Sequence, residues 1–277
     1  MNLKVLRYGM KDKLVGIWQS YLKGKSLYDL SIDNHFGPGT LKGTKLFEKK
    51  NKIAEDGIVD DVLWGFALAD GLCIGGSRGD YPEMPDFPPL SYKERPLVLG
   101  EIQYVAAPVA GNREAIRITN NWQRENLTRV IIPQLRGIKG APVDGNIFWH
   151  KKAKDQLVEF FNEVEKEGLK DRLLTWGGSW VPRFVRNRPG TLSNHSYATA
   201  FDINVPWNWL GNNPAPIGEK GSVMELVPIA AKYGFFWGGW FNYKRVEEIV
   251  DGETVFKTVK KGTGRVDGMH FEIAKLL

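Results

Sequence analysis

Apolar residues within residues 1–72 recur at the spacing of helices. They include seven large side chains, the last three of which follow a Gly-Pro-Gly turn: Leu14, Trp18, Tyr21, Leu22, Leu41, Leu46 and Phe47. Apolar positions three and four residues apart lie on one face of a helix and bury it together. We therefore predict a small helical module with a three-helix core over residues 1–72.

Glycine and proline are concentrated in the next segment, residues 73–110. Both residue types interrupt regular structure, so this composition is typical of a linker. A short strand is predicted inside it, over residues 97–105. The linker separates the helical module from a larger domain, predicted to span residues 111–277.

Two helices are predicted in the larger domain. Residues 150–167 carry apolar side chains on one helical face, and Gly168 is a typical C-terminal stop. Residues 224–233 have a similar pattern, with Pro228 in the first turn and Gly234 at the end. Both helices are expected to flank a sheet.

Strict alternation of apolar and polar residues predicts two strands, at residues 201–205 and 269–273. In the first, Asp202 and Asn204 share the face opposite to the apolar side chains. In the second, His270 and Glu272 share the polar face. Paired strands of this kind would direct Asp202 and His270 toward one cleft, in an α+β domain with a small antiparallel sheet.

Composition limits the class of protein only weakly. The chain has 277 residues, one cysteine and a formal net charge of +6. A single cysteine, Cys73, excludes an internal disulfide framework. The charge suits an anionic polymer, but basic and acidic residues are interspersed and no nucleic-acid-binding motif accompanies them. We expect no nucleic-acid partner and a monomer.

The beginning of the chain is charged and lacks the apolar segment of a secretion signal. No long uncharged apolar run occurs anywhere in the sequence. We therefore expect synthesis in a cytoplasm, without a signal peptide and without stable membrane association.

Two segments supply the residue types of a hydrolytic zinc site, SNHSYATAFD (residues 193–202) and DGMHFE (residues 267–272). A catalytic zinc takes three protein ligands, leaves one position for water, and needs a separate group to accept that water's proton. We predict one Zn²⁺ held by three residues, with a fourth as general base; in chain order they are His195, Asp202 and His270 as ligands and Asp267 as base.

The chain contains four histidines. His195 and His270 lie at strand edges with acids close by in sequence, which favours a metal site. His35 lies in a turn and His150 at the start of the predicted helix, where solvated or packing roles are expected.

These residues resemble the D-alanyl-D-alanine carboxypeptidase and L-alanyl-D-glutamate peptidase family of zinc enzymes, which includes many bacteriophage endolysins. The family signature S-x-H-x-x-G-x-A-x-D is matched at Ser193, His195, Ala200 and Asp202, and a later D/E-x-x-H element falls on residues 267–270. Two further segments, GGSWVPR (177–183) and FFWGGW (235–240), resemble the phage-type branch. The resemblance spans residues 120–273.

One position departs from the signature, because Ala198 stands where the family has glycine. Glycine is required if the backbone there has a positive φ angle, whereas alanine suffices if only a small side chain is needed. We expect the second case.

The resemblance also implies roles for residues around the metal. Arg183 is expected to stabilise the oxyanion, with Arg186 as the substitute candidate and as a substrate contact. Ser193 is expected to position substrate or its own loop. Glu272 is expected to orient a metal ligand from behind.

Apart from the resemblance, aromatic residues are dense between Trp207 and Phe241, which indicates core and cleft-wall packing. Some of them, with Trp240 as the candidate, are expected to border the substrate groove.

The N-terminal segment DNHFGPGT (residues 33–40) and the segment EDGIVDDVLW (55–64) resemble the twin turns of the peptidoglycan-binding domain. Asn34 replaces the glycine of the first turn, and the second has Asp60 and Leu63 in place of glycine and threonine. The resemblance implies a wall-binding module over residues 1–72.

Together these features favour a peptidoglycan hydrolase of the endolysin type that cleaves the stem peptide, with L-Ala-D-Glu as the expected bond. It would remain in the host cytoplasm until a holin-type pore released it to the wall. Two alternatives stay open: a D-Ala-D-Ala carboxypeptidase with the same zinc site, and a non-catalytic wall-binding protein stabilised by zinc.

Overall fold

The computed structural model describes residues 3–70, 72, 81–250, 253–260 and 265–277. The helices are α1 (Lys13–Gly24), α2 (Pro38–Lys50), α3 (Asp61–Ala69), α4 (Glu94–Leu99), α5 (Trp122–Asn126), α6 (Lys154–Lys166) and α7 (Val227–Lys232). The strands are β1 (Tyr104–Ala106), β2 (Ile116–Ile118), β3 (Leu127–Ile131), β4 (Asn146–His150), β5 (Trp176–Gly178), β6 (Phe184–Val185), β7 (Arg188–Leu192), β8 (Ala200–Ile203), β9 (Phe235–Trp237), β10 (Tyr243–Val250), β11 (Glu253–Lys260) and β12 (His270–Ile273). Helices combined with small antiparallel sheets agree with the α+β prediction. Within these residues, no helix has the length and apolarity needed to traverse a lipid bilayer.

Helices α1, α2 and α3 share one apolar core. At its centre the Trp18 ring lies 5.4 Å from that of Trp64 and 5.5 Å from that of Phe47. The buried Trp18 indole donates a hydrogen bond of 2.9 Å to Thr44 Oγ1, so its polar atom is satisfied. Asn34, at the turn position where the resembled domain has glycine, has φ +62°, a conformation that asparagine tolerates better than most residues.

The C-terminal part is organised around a four-stranded antiparallel sheet with strand order β5-β8-β12-β9. Strands β8 and β12 pair so that Phe271 lies opposite Phe201. Both rings are fully buried and stack with a centroid distance of 5.3 Å. They pack against Phe160 of α6, as the alternation of apolar residues along the strands predicts.

Strand β8 is shorter than the predicted strand, because Asn204 has φ +52° and ends it. The Asn204 side chain is fully buried and does not share the face of Asp202. Its Oδ1 accepts hydrogen bonds from the backbone N–H groups of Leu174 and Thr175, and its amide donates to Arg172 O. Asn204 therefore connects the end of the strand to the preceding loop.

The helix predicted for residues 150–167 begins later, since His150 is the last residue of β4. The His150 ring accepts a hydrogen bond from the Lys152 N–H at 3.2 Å and caps the turn that precedes α6. His150 is fully buried, in line with a packing role. At the other end Gly168 has φ +72° and terminates the helix as predicted.

Part of the predicted linker, residues 73–80 with Cys73, lies outside the described residues. The rest forms α4 and β1, so the strand predicted over residues 97–105 starts only at Tyr104. Met84 belongs to the main C-terminal core, and Leu99 is fully buried in a second cluster with Trp122. This segment therefore packs against the C-terminal part. The domain limits at residues 72 and 110 stay predictions.

The helical module docks on the C-terminal part through α1 and the short turn at residues 205–207. A Cβ atom added to Gly24 would lie 2.5 Å from Pro206 Cα, so the two backbones are in close contact. The Trp207 indole donates a 2.9 Å hydrogen bond to Asp70 O. The Asp70 carboxylate accepts a hydrogen bond from the Tyr21 hydroxyl at 2.6 Å and pairs with Lys25 at 2.5 Å.

Candidate metal centre

Three side chains predicted as metal ligands converge at one point of the C-terminal sheet. Asp202 and His270 lie directly opposite each other on β8 and β12, and His195 comes from a short helical turn just before β8. His270 Nδ1 lies 2.9 Å from Asp202 Oδ1, His195 Nε2 lies 3.3 Å from the same oxygen, and the two nitrogens are 3.2 Å apart. The three donor atoms form a nearly equilateral triangle.

This triangle has the size of one face of a zinc coordination shell. In a tetrahedral site with ligands at about 2.0–2.1 Å, neighbouring ligand atoms are about 3.3 Å apart. The observed edges of 2.9, 3.2 and 3.3 Å are close to that value. Two imidazoles and one carboxylate are also a donor set that suits zinc. The residues present therefore fit the ion.

The outward nitrogen of each imidazole has a hydrogen-bond acceptor. His195 Nδ1 lies 3.1 Å from Ser179 O, and His270 Nε2 lies 3.0 Å from Glu272 Oε2. When these nitrogens carry the protons, the nitrogens that face the triangle have free lone pairs. Asn194 donates a further hydrogen bond to Glu272 and holds its carboxylate. Glu272 thus lies where an orienting role was predicted for it.

The acids around His270 alter its charge state in the protein alone. Burial opposes the imidazolium form, but hydrogen bonds with Asp202 and Glu272 outweigh it and raise the pKa of His270 to about 10. For Asp202, burial opposes the anion, but the positive charges of His195 and His270 hold its pKa well below the usual value. The carboxylates of Asp202 and Glu272 therefore stabilise a positive charge between them. A bound metal ion supplies that charge in place of the extra proton on His270.

Asp267, the predicted base, lies in the turn that leads into β12. Its backbone N–H donates to Gly238 O, and its own carbonyl accepts from the His270 N–H at 3.1 Å. The side-chain Oδ1 is buried and has no hydrogen-bond partner among the described residues. Burial raises the pKa of Asp267 to about 7, with Asp202 adding to the rise and the positive charge of His270 opposing it. A carboxylate with a pKa near neutrality is suited to proton transfer.

Arg183 and Arg186 both border the cleft that contains His195 and Asp202. Arg183 is partly buried, and its backbone is fixed by Ser196, whose hydroxyl accepts from the Arg183 N–H and donates to the Arg183 carbonyl. Burial lowers the pKa of Arg183, while Asp202 opposes the shift; a guanidinium nevertheless keeps its charge. Arg183 is held more firmly than Arg186, which is exposed.

Two residues expected near the substrate, Ser193 and Trp240, are buried and have other contacts. The buried Ser193 hydroxyl accepts a hydrogen bond from the His195 N–H, so its position suits the alternative role of fixing the loop. Trp240 is 5 % exposed and packs against Trp237 and Tyr81 in the main core. A contact between Trp240 and substrate has no support from this position.

The expectation for Ala198 is wrong. Its φ of +51° and ψ of +43° place it in the left-handed region, so the position does need the conformation that glycine adopts readily. Its carbonyl accepts a hydrogen bond from the His150 N–H, which fixes this conformation from the neighbouring strand. An alanine in this conformation costs about 1–2 kcal/mol of backbone strain. Ala198 directly follows the short helical turn that contains His195.

The cleft in front of the ligands has a volume of about 1250 Å³. One wall comes from the C-terminal part and includes Arg113, Trp209 and Arg265 besides the residues already described. The opposite wall comes from the helical module, with residues of α1 and of the loop at residues 28–34. Sequence reasoning did not single out Trp209 among the dense aromatics of residues 207–241, and it missed this second wall, because contacts between distant segments do not follow from a local pattern.

Residues 186–246 match the family model described as D-alanyl-D-alanine carboxypeptidase. No curated protein matches the chain. The matched segment includes His195 and Asp202, while His270 and Asp267 lie beyond its end. The match supports a peptidase related to peptidoglycan metabolism, and enzymes of this type depend on zinc. The geometry adds the third candidate ligand from outside the matched segment.

Proposed function

We propose that the protein is a zinc-dependent peptidoglycan peptidase that cleaves within the stem peptide, with L-Ala-D-Glu as the bond. The observation that carries the proposal is the triangle of His195, Asp202 and His270 at a cleft. The Asp267 carboxyl interacts electrostatically with Asp202 and His270, and its buried Oδ1 has no hydrogen-bond partner among the described residues. A match to a carboxypeptidase family model in the same segment supports the reaction type.

When bound by the three ligands, zinc would supply Lewis acidity that polarises a peptide carbonyl and makes a water molecule more acidic. Asp267 accepts the proton of the attacking water at its carboxylate and later delivers it to the departing amine. Burial of the Asp267 carboxyl, which opposes its anionic form and raises its pKa, makes it able both to accept and to release a proton. Glu272 holds the His270 ring so that its coordinating nitrogen stays unprotonated.

Arg183 provides positive charge for the oxygen of the tetrahedral intermediate. Its clamped backbone reduces the reorganisation needed when that charge develops. Arg186 contacts the substrate further out along the cleft, where the side chain is exposed.

The size of the cleft favours cleavage inside a longer peptide. Sites for small ligands usually enclose about 300–1000 Å³, and this cleft has about 1250 Å³. Cleavage inside a peptide needs space for substrate residues on both sides of the bond, whereas removal of a terminal residue needs such space on one side only. The second candidate, a D-Ala-D-Ala carboxypeptidase, is favoured by the description of the matching family, and the arginines of the cleft are able to hold a terminal carboxylate.

As a biological role we propose host lysis by a phage endolysin. The helical module, which resembles a peptidoglycan-binding domain in sequence, would keep the enzyme at the wall and raise the local substrate concentration. A separate pore of the holin type would release the protein from the host cytoplasm.

Digestion of purified peptidoglycan tests the proposal directly. Mass spectrometry of the released muropeptides, with and without a chelator, is expected to reveal new amino termini at D-Glu only in the untreated sample. Loss of terminal D-Ala alone would establish the carboxypeptidase instead. A metal-loaded protein that leaves both bonds intact would support the third reading, a wall-binding protein that uses zinc only for stability.

A further inference from the structure

Two cationic side chains from different parts of the chain lie over the same indole ring, that of Trp209, which lines the cleft. Lys23 Nζ, at the end of α1, lies 5.8 Å from the centroid of the Trp209 ring. Arg186 Cζ lies 5.5 Å from the same centroid. Cations are attracted to the face of an indole, so Trp209 stabilises both side chains in this place.

Within the described ranges, neither cation is paired with an acid through a salt bridge, although Asp29 acts on Lys23 and Asp267 acts on Arg186 from a longer distance. Among the described residues, no carboxylate forms an ion pair with Lys23 or with Arg186. The Lys23 ammonium donates a hydrogen bond of 2.7 Å to the carbonyl of Leu30, a neutral acceptor that fixes its position. Burial lowers the pKa of Lys23 and the charge of Arg186 lowers it further, so the two cations repel each other, while Asp29 opposes the shift only in part.

Two positive charges held close together create a positive electrostatic potential, and this potential attracts an anion from the solvent. Lys23, Arg186 and Trp209 all line the cleft that contains His195 and Asp202. An anion bound at this indole would therefore belong to a molecule that extends toward the candidate metal centre. The site exists only while the helical module is docked, because Lys23 and Arg186 come from opposite walls.

We infer that Lys23, Arg186 and Trp209 form a carboxylate-binding subsite of the peptidase, shared between the helical module and the C-terminal part. This inference rests on the proposed function. The D-Glu residue of the proposed bond keeps one carboxylate that is not part of a peptide linkage, and this group is the ligand assigned to the subsite. The helical module then selects substrate at the site of reaction, in addition to any contact with the wall.

Two synthetic stem peptides provide the test, one with the free carboxylate on D-Glu and one with that carboxylate converted to an amide. The full-length, zinc-loaded protein is expected to cleave the carboxylate peptide with the lower KM. In Lys23→Met, KM for this peptide should rise about tenfold, as expected for the loss of one charge-assisted hydrogen bond. The amide peptide should show little change, and kcat should stay near that of the wild type for both.

Three variants control this experiment. Lys23→Arg keeps the positive charge and should restore the preference for the carboxylate peptide. Lys154→Met removes the same charge from an exposed position at the start of α6 and should leave both KM values unchanged. Trp209→Leu removes the indole that supports both cations and should weaken the preference. A melting curve for each variant identifies loss of folding, in which case Lys23→Gln replaces Lys23→Met.

The outcomes separate the subsite from the proposed function. Failure of the wild type to cleave either peptide would count against the reaction itself. Cleavage of both peptides with equal KM, unaffected by Lys23→Met, would overturn the subsite while leaving the peptidase intact. A Lys23→Met enzyme that is impaired only on whole walls would mean that the cations hold a phosphate-bearing wall polymer, and the assignment to D-Glu would be wrong.

Discussion

His270 and Asp202 are paired directly across β12 and β8, and His270 Nδ1 lies 2.9 Å from Asp202 Oδ1. This pairing brings together residues that are 68 positions apart in the chain. The same register places Phe271 against Phe201 in the core. A shift of one residue would exchange the polar and apolar faces of β12, so burial of the phenyl rings fixes the position of the candidate ligands.

Replacement of Asp202 by asparagine should abolish tight zinc binding. The amide has nearly the shape of the carboxylate but lacks its charge, and the two imidazoles alone leave the ion with two strong ligands. We expect at least a hundredfold loss of affinity, measured by competition with a chromophoric chelator. Asp171→Asn, at an exposed position, removes the same charge and should bind zinc like the wild type. Equal affinity in both variants would exclude Asp202 as a ligand.

Asp267→Asn should separate metal binding from catalysis. The side chain is not one of the three ligands, so zinc content measured by elemental analysis should stay at one ion per chain. The amide cannot accept the water's proton, and kcat should fall by about 10²–10⁴, the usual contribution of a general base. Retention of full turnover with bound zinc would show that another group accepts the proton.

Much of this site follows from the sequence because its elements are local. The alternation around Asp202 and His270 places them on polar faces of their strands. Because the chain has four histidines, few pairs of histidine ligands are possible. The sequence also identifies Glu272, since it lies two residues from His270 and therefore on the same face of β12. Each of these inferences depends only on the alternation of side chains along a strand, in which residues two positions apart share a face.

The remaining features depend on contacts between distant segments. Trp240 belongs to a group of aromatics whose density suggested a substrate groove, but its contacts with Trp237 and Tyr81 place it in the core. The left-handed conformation of Ala198 follows from the path between two strands and not from its own residue type. Trp209 and Lys23 meet only because α1 docks on the turn that contains Pro206.

Glu48 should make the stability of the helical module depend on pH. Its side chain is 1 % exposed and accepts the Gly57 N–H at 3.0 Å. Burial raises its pKa from 4.5 to about 7, although the Gly57 N–H opposes the shift. An acid with a raised pKa in the folded state favours folding while protonated, so this contribution is complete below pH 4.5 and is lost as the pH rises to about 7.

Glu48→Gln removes this titration and keeps an acceptor for Gly57. Its free energy of unfolding relative to the wild type should therefore increase between pH 4.5 and pH 7, as measured by chemical denaturation at both pH values. Glu55→Gln, on the exposed surface of the same module, should show no such trend. If the difference in free energy of unfolding between Glu48→Gln and the wild type does not change with pH, the pKa of Glu48 is not raised in the folded protein.

Gly24→Ala tests whether docking of the helical module matters for catalysis. The added methyl group would lie 2.5 Å from Pro206 Cα, and backbone at that distance has to move. Displacement of α1 opens one wall of the cleft, so KM for soluble stem peptides should rise several-fold. A module that served only to hold the enzyme on the wall would leave cleavage of soluble peptides unchanged.

Gly65→Ala is the matched control for this substitution. Gly65 lies in α3 on the exposed face of the module, and an added Cβ there meets no atom within 4 Å. Alanine in a helix is about 1 kcal/mol more favourable than glycine, so this variant should raise the stability of the module slightly and leave KM unchanged. If Gly24→Ala and Gly65→Ala cleave soluble peptides equally well, the wall formed by the helical module has no part in substrate binding, and the subsite at Trp209 loses its basis as well.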